Sequence, residues 1–203
     1  MNPFEHIYNT NYWGFGSGHG SLPSVTKAYR AYIEDFLIEN KIDSILDYGC
    51  GDWQFSRLIR WGNVRYTGVD IADAVIEMNQ RKYGSKNIRF KTINPGSTEI
   101  PDADLLISKD VLQHMTRSDI EIFLKNILPR YKLALITNCI TPEERLNIDI
   151  PSGEFRPLDL RKAPYNVQAK CVFTFEIPNV FSWRRFKTFV GSTKMVLLLQ
   201  NQN

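Results

Sequence analysis

The segment from Ser44 to Ile59 constrains the fold of this chain more than any other stretch of its 203 residues. It opens with the short run SILDY at 44–48, whose apolar residues are typical of a buried strand. Gly49 and Gly51 follow, and glycines let the backbone turn tightly and come close to a ligand. A helical pattern over 53–60 would then add free N–H groups at its N-terminus. The segment therefore predicts a cofactor site at the carboxyl edge of a parallel sheet.

The alternation of strand and helix continues along the chain. Short apolar runs predict strands at 65–70, 87–92, 104–108 and 133–137. Helical spacing predicts a helix after the N-cap Ser24, a helix over 73–83 ended by Gly84, and a helix over 118–128. Apolar strands separated by helices predict a doubly wound α/β fold, with a Rossmann-like parallel sheet that carries helices on both faces.

The two ends of the chain depart from this alternation. Residues 1–23 are rich in glycine and aromatic residues, so we expect no regular structure there. Residues 139–169 hold four prolines and predict an irregular, partly helical insertion over the sheet edge on the acceptor side. Strands at 171–177 and 194–200 close the chain, and one of them should run antiparallel to the rest. Since no linker divides the sequence, 1–203 is predicted to form a single domain.

Charge and cysteine usage restrict the partners and the compartment. The net charge of +3, from 25 basic and 22 acidic residues, is too small to predict a nucleic-acid partner. Cys50, Cys139 and Cys171 are far apart, so we expect neither disulfides nor a zinc site, and a reducing, cytoplasmic location fits best. No apolar run approaches the ~20 residues of a membrane span, and the N-terminus does not resemble a signal peptide. The basic cluster at 183–187 is either a solvated turn or a contact for an anion.

Acidic residues around the glycine turn distinguish between cofactors. Gln54 stands where dinucleotide enzymes need the third glycine of GxGxxG, which argues against NAD. Asp47, two residues before Gly49, suits a cofactor with cationic sulfonium and ammonium groups. Asp70, at the end of the second strand, can accept hydrogen bonds from both ribose hydroxyls. Asn94, after the third strand, could meet an adenine edge or serve as a turn residue.

Three stretches resemble motifs of the class I S-adenosylmethionine-dependent methyltransferases. Residues 45–51, 66–70 and 104–114 resemble motif I, motif II and motif IV with its following segment, and the similarity extends over about 24–138. The resemblance implies a seven-stranded sheet of order 3-2-1-4-5-7-6 with strand 7 antiparallel, S-adenosylmethionine as cofactor and S-adenosylhomocysteine as product. Asn94 departs from the family pattern, which usually has Asp there. The implied cofactor-binding residues are Asp47, Gly49, Cys50, Gly51, Asp70, Ile71, Asn94 and Lys109.

The Gly-Ser-Gly-His-Gly-Ser segment at 16–21 resembles a subgroup of small bacterial and viral methyltransferases that carry the same GCGDWQFS motif. In these enzymes the N-terminal segment commonly folds over the cofactor, so residues 1–23 are expected to form a lid. Arg30, on the helix behind the lid, could pair with the cofactor carboxylate, because arginine suits bidentate carboxylate binding. The alternative for Arg30 is an ordinary surface charge.

Methyl transfer to a hydroxyl requires alignment of the acceptor and a base that removes its proton. His114, just beyond the fourth strand, is the first candidate base, although it could instead cap or pack beside Met115. His19, on the lid, is the second candidate. Asp110 is a candidate base, substrate anchor or metal ligand. A divalent ion bound by Asp110 and Asn138 is conceivable but not favoured.

An aromatic and polar rim predicts a small-molecule or saccharide acceptor. Tyr12, Trp13 and His19 could face a sugar from the lid, while Arg156 and Asp159 could bind polar groups or pair with each other. Our hypothesis is O-methylation of a sugar or glycan hydroxyl. The alternatives are an NAD-linked oxidoreductase on a similar fold and a non-catalytic module that binds S-adenosylmethionine. An RNA acceptor is disfavoured because no basic stripe with stacking aromatics is evident.

Overall fold

A seven-stranded sheet organises the computed structural model, which describes residues 2–94, 96–182, 187–189 and 191–201. The strands are β1 Ser44–Tyr48, β2 Arg65–Asp70, β3 Ile88–Thr92, β4 Leu105–Lys109, β5 Leu133–Cys139, β6 Lys170–Ile177, β7 Val180–Ser182, β8 Lys187–Phe189 and β9 Ser192–Gln200. The α-helices are α1 Pro3–Thr10, α2 Lys27–Glu39, α3 Asp73–Tyr83 and α4 Arg117–Ile122.

The sheet has the order β3-β2-β1-β4-β5-β9-β6. Strands β1 to β5 pair in parallel, whereas β9 is antiparallel to both β5 and β6. The predicted order and the antiparallel last strand are therefore confirmed. Strands β7 and β8 form a separate hairpin. Because residues 183–186 lie outside the described residues, the prediction for the basic cluster at 183–187 stays open.

Apolar side chains cover both faces of the sheet. Along β1, Ile45 joins the cluster under α2, and Leu46 joins the cluster under α4. This alternation is what a strand buried on both faces requires, since successive side chains point to opposite faces. No helix in the described part of the chain is long and apolar enough to cross a membrane.

The predicted helix over 53–60 is wrong. Trp53 has a φ of 57°, in the left-handed region that an α-helix of L-residues cannot contain. A single 3₁₀ turn at Ser56–Leu58 remains, and the Trp61 indole donates a hydrogen bond to the Ser56 carbonyl (2.9 Å).

Two predicted helix boundaries also differ from the structure. Thr26, not Ser24, precedes α2, and Gly84 ends α3 in an extended conformation without a left-handed cap.

The expectation of no regular structure in residues 1–23 is also wrong. Asn2 caps α1 by accepting a hydrogen bond from the Phe4 N–H, and Pro3 occupies the first helical position, where proline is well suited.

The predicted helix over 118–128 is divided into α4, a π-helical turn at Phe123–Ile127 and a 3₁₀ turn at Leu128–Arg130. Residues 140–169 are irregular apart from a 3₁₀ turn at Glu143–Arg145, as predicted for the insertion.

Candidate active site

A cavity of about 470 Å³ opens at the carboxyl edge of the sheet. Its walls come from the ends of β1 to β4, from the turns that follow these strands and from residues 2–21 of the lid. A volume of this size accommodates a small-molecule cofactor. Ten predicted site residues line the cavity, namely Trp13, Gly49, Cys50, Gly51, Asp70, Ile71, Asn94, Lys109, Asp110 and His114.

The turn after β1 depends on its two glycines. Gly49 and Gly51 have φ values of 77° and 54°, which strain residues other than glycine. A Cβ at Gly49 would lie 2.4 Å from the Val111 side chain, and a Cβ at Gly51 would lie 2.3 Å from Ser17 Oγ. The glycines thus allow both the turn and the close approach of the lid and of the segment after β4.

Asp70 lies at the end of β2 beside this turn. Its carboxylate accepts hydrogen bonds from the backbone N–H groups of Gly51 (3.0 Å) and Ala72 (3.1 Å). Burial raises the pKa of Asp70, although these N–H groups oppose the rise. The side chain is therefore fixed at the cavity wall by two backbone groups.

Asp47 is a buried residue of β1 and is not part of the described lining of the cavity. Its carboxyl group is buried and accepts a hydrogen bond from the Tyr66 hydroxyl (2.5 Å). Burial raises the pKa of Asp47 to about 7, even though the Tyr66 hydroxyl lowers it. In this structure the hydrogen bond of Asp47 joins β1 to Tyr66 of β2, and direct contact of Asp47 with a cofactor remains a prediction.

The lid is fastened to the glycine turn by side chains that sequence reasoning missed. Ser17 Oγ donates to Asp52 Oδ1 (2.7 Å), and Tyr8 Oη lies 3.0 Å from Ser17 Oγ. Gln54 Nε2 donates to the Phe15 carbonyl (2.6 Å), and Asn2 Nδ2 donates to the Ile71 carbonyl (2.8 Å). Asp52 and Gln54, polar residues directly after the turn at Gly49–Gly51, were a signal that could have identified this latch.

Two buried lysines share one carboxylate at the end of β4. The Nζ atoms of Lys109 and Lys194 each lie 2.6 Å from a different oxygen of Asp110. Burial alone would raise the pKa of Asp110, but the two ammonium groups lower it to about 2. Asp110 is therefore ionised near neutral pH, and both of its oxygens are already engaged.

Sequence reasoning missed Lys194, although a lysine in an otherwise apolar strand was a usable signal. It lies opposite Cys139 in the β5–β9 pair, with its Nζ 2.7 Å from Cys139 Sγ. Lys109 Nζ also donates to the Gly20 carbonyl of the lid (3.0 Å). Lys109, Lys194 and Asp110 thus connect four segments of the chain, namely the lid, the end of β4, β5 and β9.

His114 is held in one tautomer. Its Nδ1 lies 2.7 Å from the Glu154 carbonyl oxygen, which can only accept, so Nδ1 carries the proton. Its Nε2 lies 3.3 Å from Gln113 Nε2, and the Cys139 N–H fixes this amide by donating to Gln113 Oε1 (2.8 Å). Burial lowers the pKa of His114 to about 4. His114 is thus a neutral imidazole whose Nε2 lone pair accepts the hydrogen bond from the Gln113 amide.

Five predicted site residues besides Asp47 do not line the cavity. The Tyr12 side chain is 66% exposed, and His19 lies in the 3₁₀ turn at His19–Ser21. Arg30 donates to the Pro23 carbonyl (3.1 Å), which places its guanidinium on the lid backbone. Asp159 pairs with Arg161 (2.9 Å) and not with Arg156. Arg156 is fully buried beneath His114.

Within the described residues, no group of three or more His, Cys, Asp or Glu side chains is arranged to hold a metal ion. Asp110 already binds two ammonium groups, so its oxygens are not free for a divalent ion.

The aromatic rings of Trp13 and His114 pack with centroids 4.8 Å apart. The lid thus contributes an aromatic surface directly beside the imidazole.

Comparison with known proteins relates the chain to methyltransferases. Residues 45–132 match a family model described as a methyltransferase domain. Malonyl-[acyl-carrier protein] O-methyltransferase of Acetivibrio thermocellus is 33% identical over 82 residues, which cover 39% of this chain and 29% of that protein. The match thus spans less than a third of this curated relative.

Two solved structures show the extent of the similarity in fold. Human N-acetylserotonin methyltransferase in complex with SAM has a TM-score of 0.65 at 14% identity, over 100% of this chain and 60% of that chain. Magnesium protoporphyrin IX methyltransferase of Synechocystis PCC 6803, with bound SAH, has a TM-score of 0.60 at 12% identity, over 90% and 85% of the two chains. At these identities the likeness concerns the fold alone.

Proposed function

From the premise that this chain carries a class I S-adenosylmethionine-dependent methyltransferase domain, we propose that it transfers the methyl group of S-adenosylmethionine to a hydroxyl of a small polar acceptor. A sugar or glycan hydroxyl is our first choice. The observation that carries the proposal is His114, a neutral imidazole fixed with Nε2 as its accepting atom, in a cavity whose other end is the glycine turn with Asp70.

The charges around the cavity suit a cationic cofactor. Lys109 is the only lysine or arginine in the described lining. Because the lining holds more carboxyl groups than basic side chains, it attracts a sulfonium cofactor and repels the pyrophosphate of NAD. This favours S-adenosylmethionine over NAD. The carboxyl residues of the lining are Glu5, Asp70, Asp73, Asp110 and Asp119.

The residues present also fit the remaining parts of S-adenosylmethionine. Each Asp70 oxygen accepts one backbone N–H and retains a lone pair for a ribose hydroxyl. Ile71 and Asn94 line the cavity where the family resemblance implies the adenine. The Lys109 ammonium group would bind the carboxylate of the methionine part, because Arg30 is bonded to the lid instead.

S-adenosylmethionine supplies an activated methyl group, so this chain must align the acceptor and remove its proton. His114 Nε2 would take the proton from the acceptor hydroxyl once that hydroxyl replaces the Gln113 amide N–H, which faces the Nε2 lone pair in this structure (3.3 Å). The pKa of about 4 keeps the imidazole unprotonated near neutral pH. Asp110 is unsuited to this role because Lys109 and Lys194 each bind one of its two oxygens. We assign it to holding Lys109 and Lys194 in place.

The surroundings of His114 support a sugar acceptor. The Trp13 ring packs beside the imidazole, and the Phe4 ring meets Trp13 edge to face at 6.0 Å. A flat aromatic ring next to a base suits the C–H face of a sugar whose hydroxyl points to that base. The O-methyltransferase name of the curated relative is consistent with an oxygen acceptor.

Calorimetric titration of S-adenosylmethionine and of NAD tests the cofactor. We expect the first to bind and the second not to bind. Asp70→Ala should weaken binding by roughly 10–100-fold, because hydrogen bonds to a charged group contribute about 1.5–3 kcal/mol. Asp102→Ala is the control, since Asp102 is an exposed carboxyl residue outside the lining of the cavity. Binding of NAD alone would contradict the assignment and favour the oxidoreductase alternative.

Mass spectrometry of candidate acceptors tests the reaction. We expect sugar acceptors to gain the mass of one methylene unit in the presence of S-adenosylmethionine. A product formed only on an amine or a protein would rule out the sugar acceptor. Tight cofactor binding without a product from any acceptor would favour the non-catalytic module.

A further inference from the structure

Arg156 is a fully buried cation without an acidic partner in the described chain. Its relative exposure is 0%, and its guanidinium forms no ion pair with any described carboxylate. A buried charge is costly unless other groups satisfy its donors. Its hydrogen bonds therefore indicate which part of the protein it stabilises.

Apart from one from Nη2 to the Tyr165 hydroxyl (3.5 Å), those hydrogen bonds go to the backbone around His114. Arg156 Nη1 donates to the Met115 carbonyl (2.7 Å), and the Arg156 N–H donates to the Gln113 carbonyl (3.2 Å). Between these two, the His114 carbonyl accepts a hydrogen bond from the Gly153 N–H (2.8 Å). Residues 153–156 of the insertion thus bind three consecutive carbonyls of a turn that contains only three 3₁₀ residues.

The same stretch also fixes the imidazole. The Glu154 carbonyl accepts the Nδ1 proton, so both the ring and the backbone of His114 are bound by residues 153–156. A 3₁₀ turn this short has poor hydrogen-bond geometry of its own and does not hold a side chain firmly. The hydrogen bonds from residues 153–156 therefore hold His114 in place where the bonds of the turn itself are weak.

We propose that Arg156 is a positioning residue, which holds the His114 turn so that Nε2 is the atom presented to an acceptor. Its role in catalysis rests on the proposed function, but its effect on the ring does not. This replaces the expectation that Arg156 binds the acceptor, since a fully buried side chain beneath His114 does not reach one.

The charged groups that face His114 are Asp110, Lys194 and Arg156. After burial, which is the largest influence, both Lys194 and Arg156 lower the pKa of His114, and Asp110 raises it. Removal of the Arg156 charge should therefore raise the pKa of His114. This gives the proposal a signature that a purely structural role of Arg156 would not produce.

Nitrogen-15 NMR of the histidine rings, with His114→Gln used to assign the signal, tests the proposal together with steady-state kinetics. In Arg156→Gln we expect the Nδ1–H tautomer to lose its dominance and the ring titration to move to higher pH. We also expect kcat to fall roughly 10–100-fold, as for a catalytic group misplaced by about 1 Å. Affinity for S-adenosylmethionine should stay within a factor of about two, because Arg156 does not line the cavity and the change removes no hydrogen bond to the cofactor.

Two further variants keep the test decisive. Arg156→Lys retains the charge and should leave the titration near that of the natural chain, even if Arg156→Gln does not fold. Arg161→Gln removes an arginine of the same insertion that pairs with Asp159 and should leave the His114 ring unchanged. An unchanged tautomer and titration in Arg156→Gln would overturn the proposal. Full turnover in His114→Gln, with an altered ring in Arg156→Gln, would refute the proposed function alone.

Discussion

The two ends of the cavity are held by different kinds of contact. At the β1–β2 end, Asp70 is fixed by the N–H groups of Gly51 and Ala72, which belong to the turns directly after the paired strands. At the β4 end, His114 is fixed by Gly153 and Glu154, about forty residues further along the chain. The first end therefore forms with the sheet, whereas the second also requires the insertion to fold.

Burial shifts the pKa of an acid at the β1–β2 end and of a base at the β4 end. It raises the pKa of Asp47 to about 7 at the β1–β2 end and lowers the pKa of His114 to about 4 at the β4 end. Both groups are thus kept closer to their neutral forms. Because one is an acid and the other a base, their effects on stability have opposite pH dependence.

Replacement of His114 should have the largest effect and should separate the two ends. We expect His114→Ala to lower kcat by roughly 10²–10⁴-fold, the usual contribution of a general base. Affinity for S-adenosylmethionine should be retained, because the β1–β2 end is unchanged. Steady-state kinetics and calorimetry on the same samples measure both quantities. Loss of cofactor affinity in this variant would show that the two ends are not independent.

The pH dependence of unfolding should sharpen the comparison. The pKa of Asp47 is raised from 3.8 to about 7, so the folded state binds more protons between these values. Its contribution to stability is present below about pH 4 and is lost as the pH rises to about 7. His114 acts oppositely, since its pKa is lowered from 6.5 to about 4 and its contribution is lost as the pH falls through that range.

Urea unfolding between about pH 4 and pH 7 should therefore respond oppositely to substitutions at the two ends. Asp47→Asn should make the free energy of unfolding rise more steeply with pH, by on the order of 2–4 kcal/mol over this range. His114→Gln should make it rise less steeply. Asp102→Asn, at an exposed carboxyl group, is the control. Equal slopes in all four proteins would contradict the assignment of these two groups.

Loss of Lys194 should weaken the β4 end specifically. Lys194→Met leaves Asp110 with Lys109 as its remaining ammonium partner, and we expect a stability loss of about 1–3 kcal/mol, the usual result of removing one partner of a buried hydrogen bond. Hydrogen exchange should increase around Asp110 and His114 more than around Gly51. Lys170→Met is the control, because Lys170 is exposed on the neighbouring strand. A uniform increase in exchange would mean that the cluster stabilises the whole sheet.

The smallest expected effect concerns the latch between the lid and the β1–β2 end. Ser17→Ala removes the hydroxyl hydrogen bonds to Asp52 and Tyr8 and keeps the Ser17 N–H bond to Asp52. We expect faster backbone exchange in residues 11–21, by a factor that corresponds to about 1 kcal/mol. Thr10→Ala removes a hydroxyl from the same lid that bonds only to its own helix at His6. If the two variants behaved alike, the contact between Ser17 and Asp52 would not be what holds the lid.

The sequence predicts the β1–β2 end better than the β4 end, for a physical reason. Strand periodicity, Gly49, Gly51 and Asp70 are local signals, and parallel pairing brings them to one edge. Lys194 and residues 153–156 reach His114 only through the tertiary fold, so no local pattern indicates these contacts. The helix predicted over 53–60 failed because the left-handed Trp53 is invisible to hydrophobic periodicity. The helix α1 was missed although Asn2 and Pro3 are recognisable start signals.

Residues 2–21 are bonded to the same glycine turn that a bound cofactor would touch. If the chain acts as proposed, these residues would enclose the spent cofactor, which would depart after the bonds made by Ser17, Gln54 and Asn2 had broken. Release of product is then a gated event whose rate follows the opening of the latch, as for enzymes with closing loops. The residence time of the product, and with it the number of acceptors modified per minute, would be set by these few hydrogen bonds as well as by the imidazole.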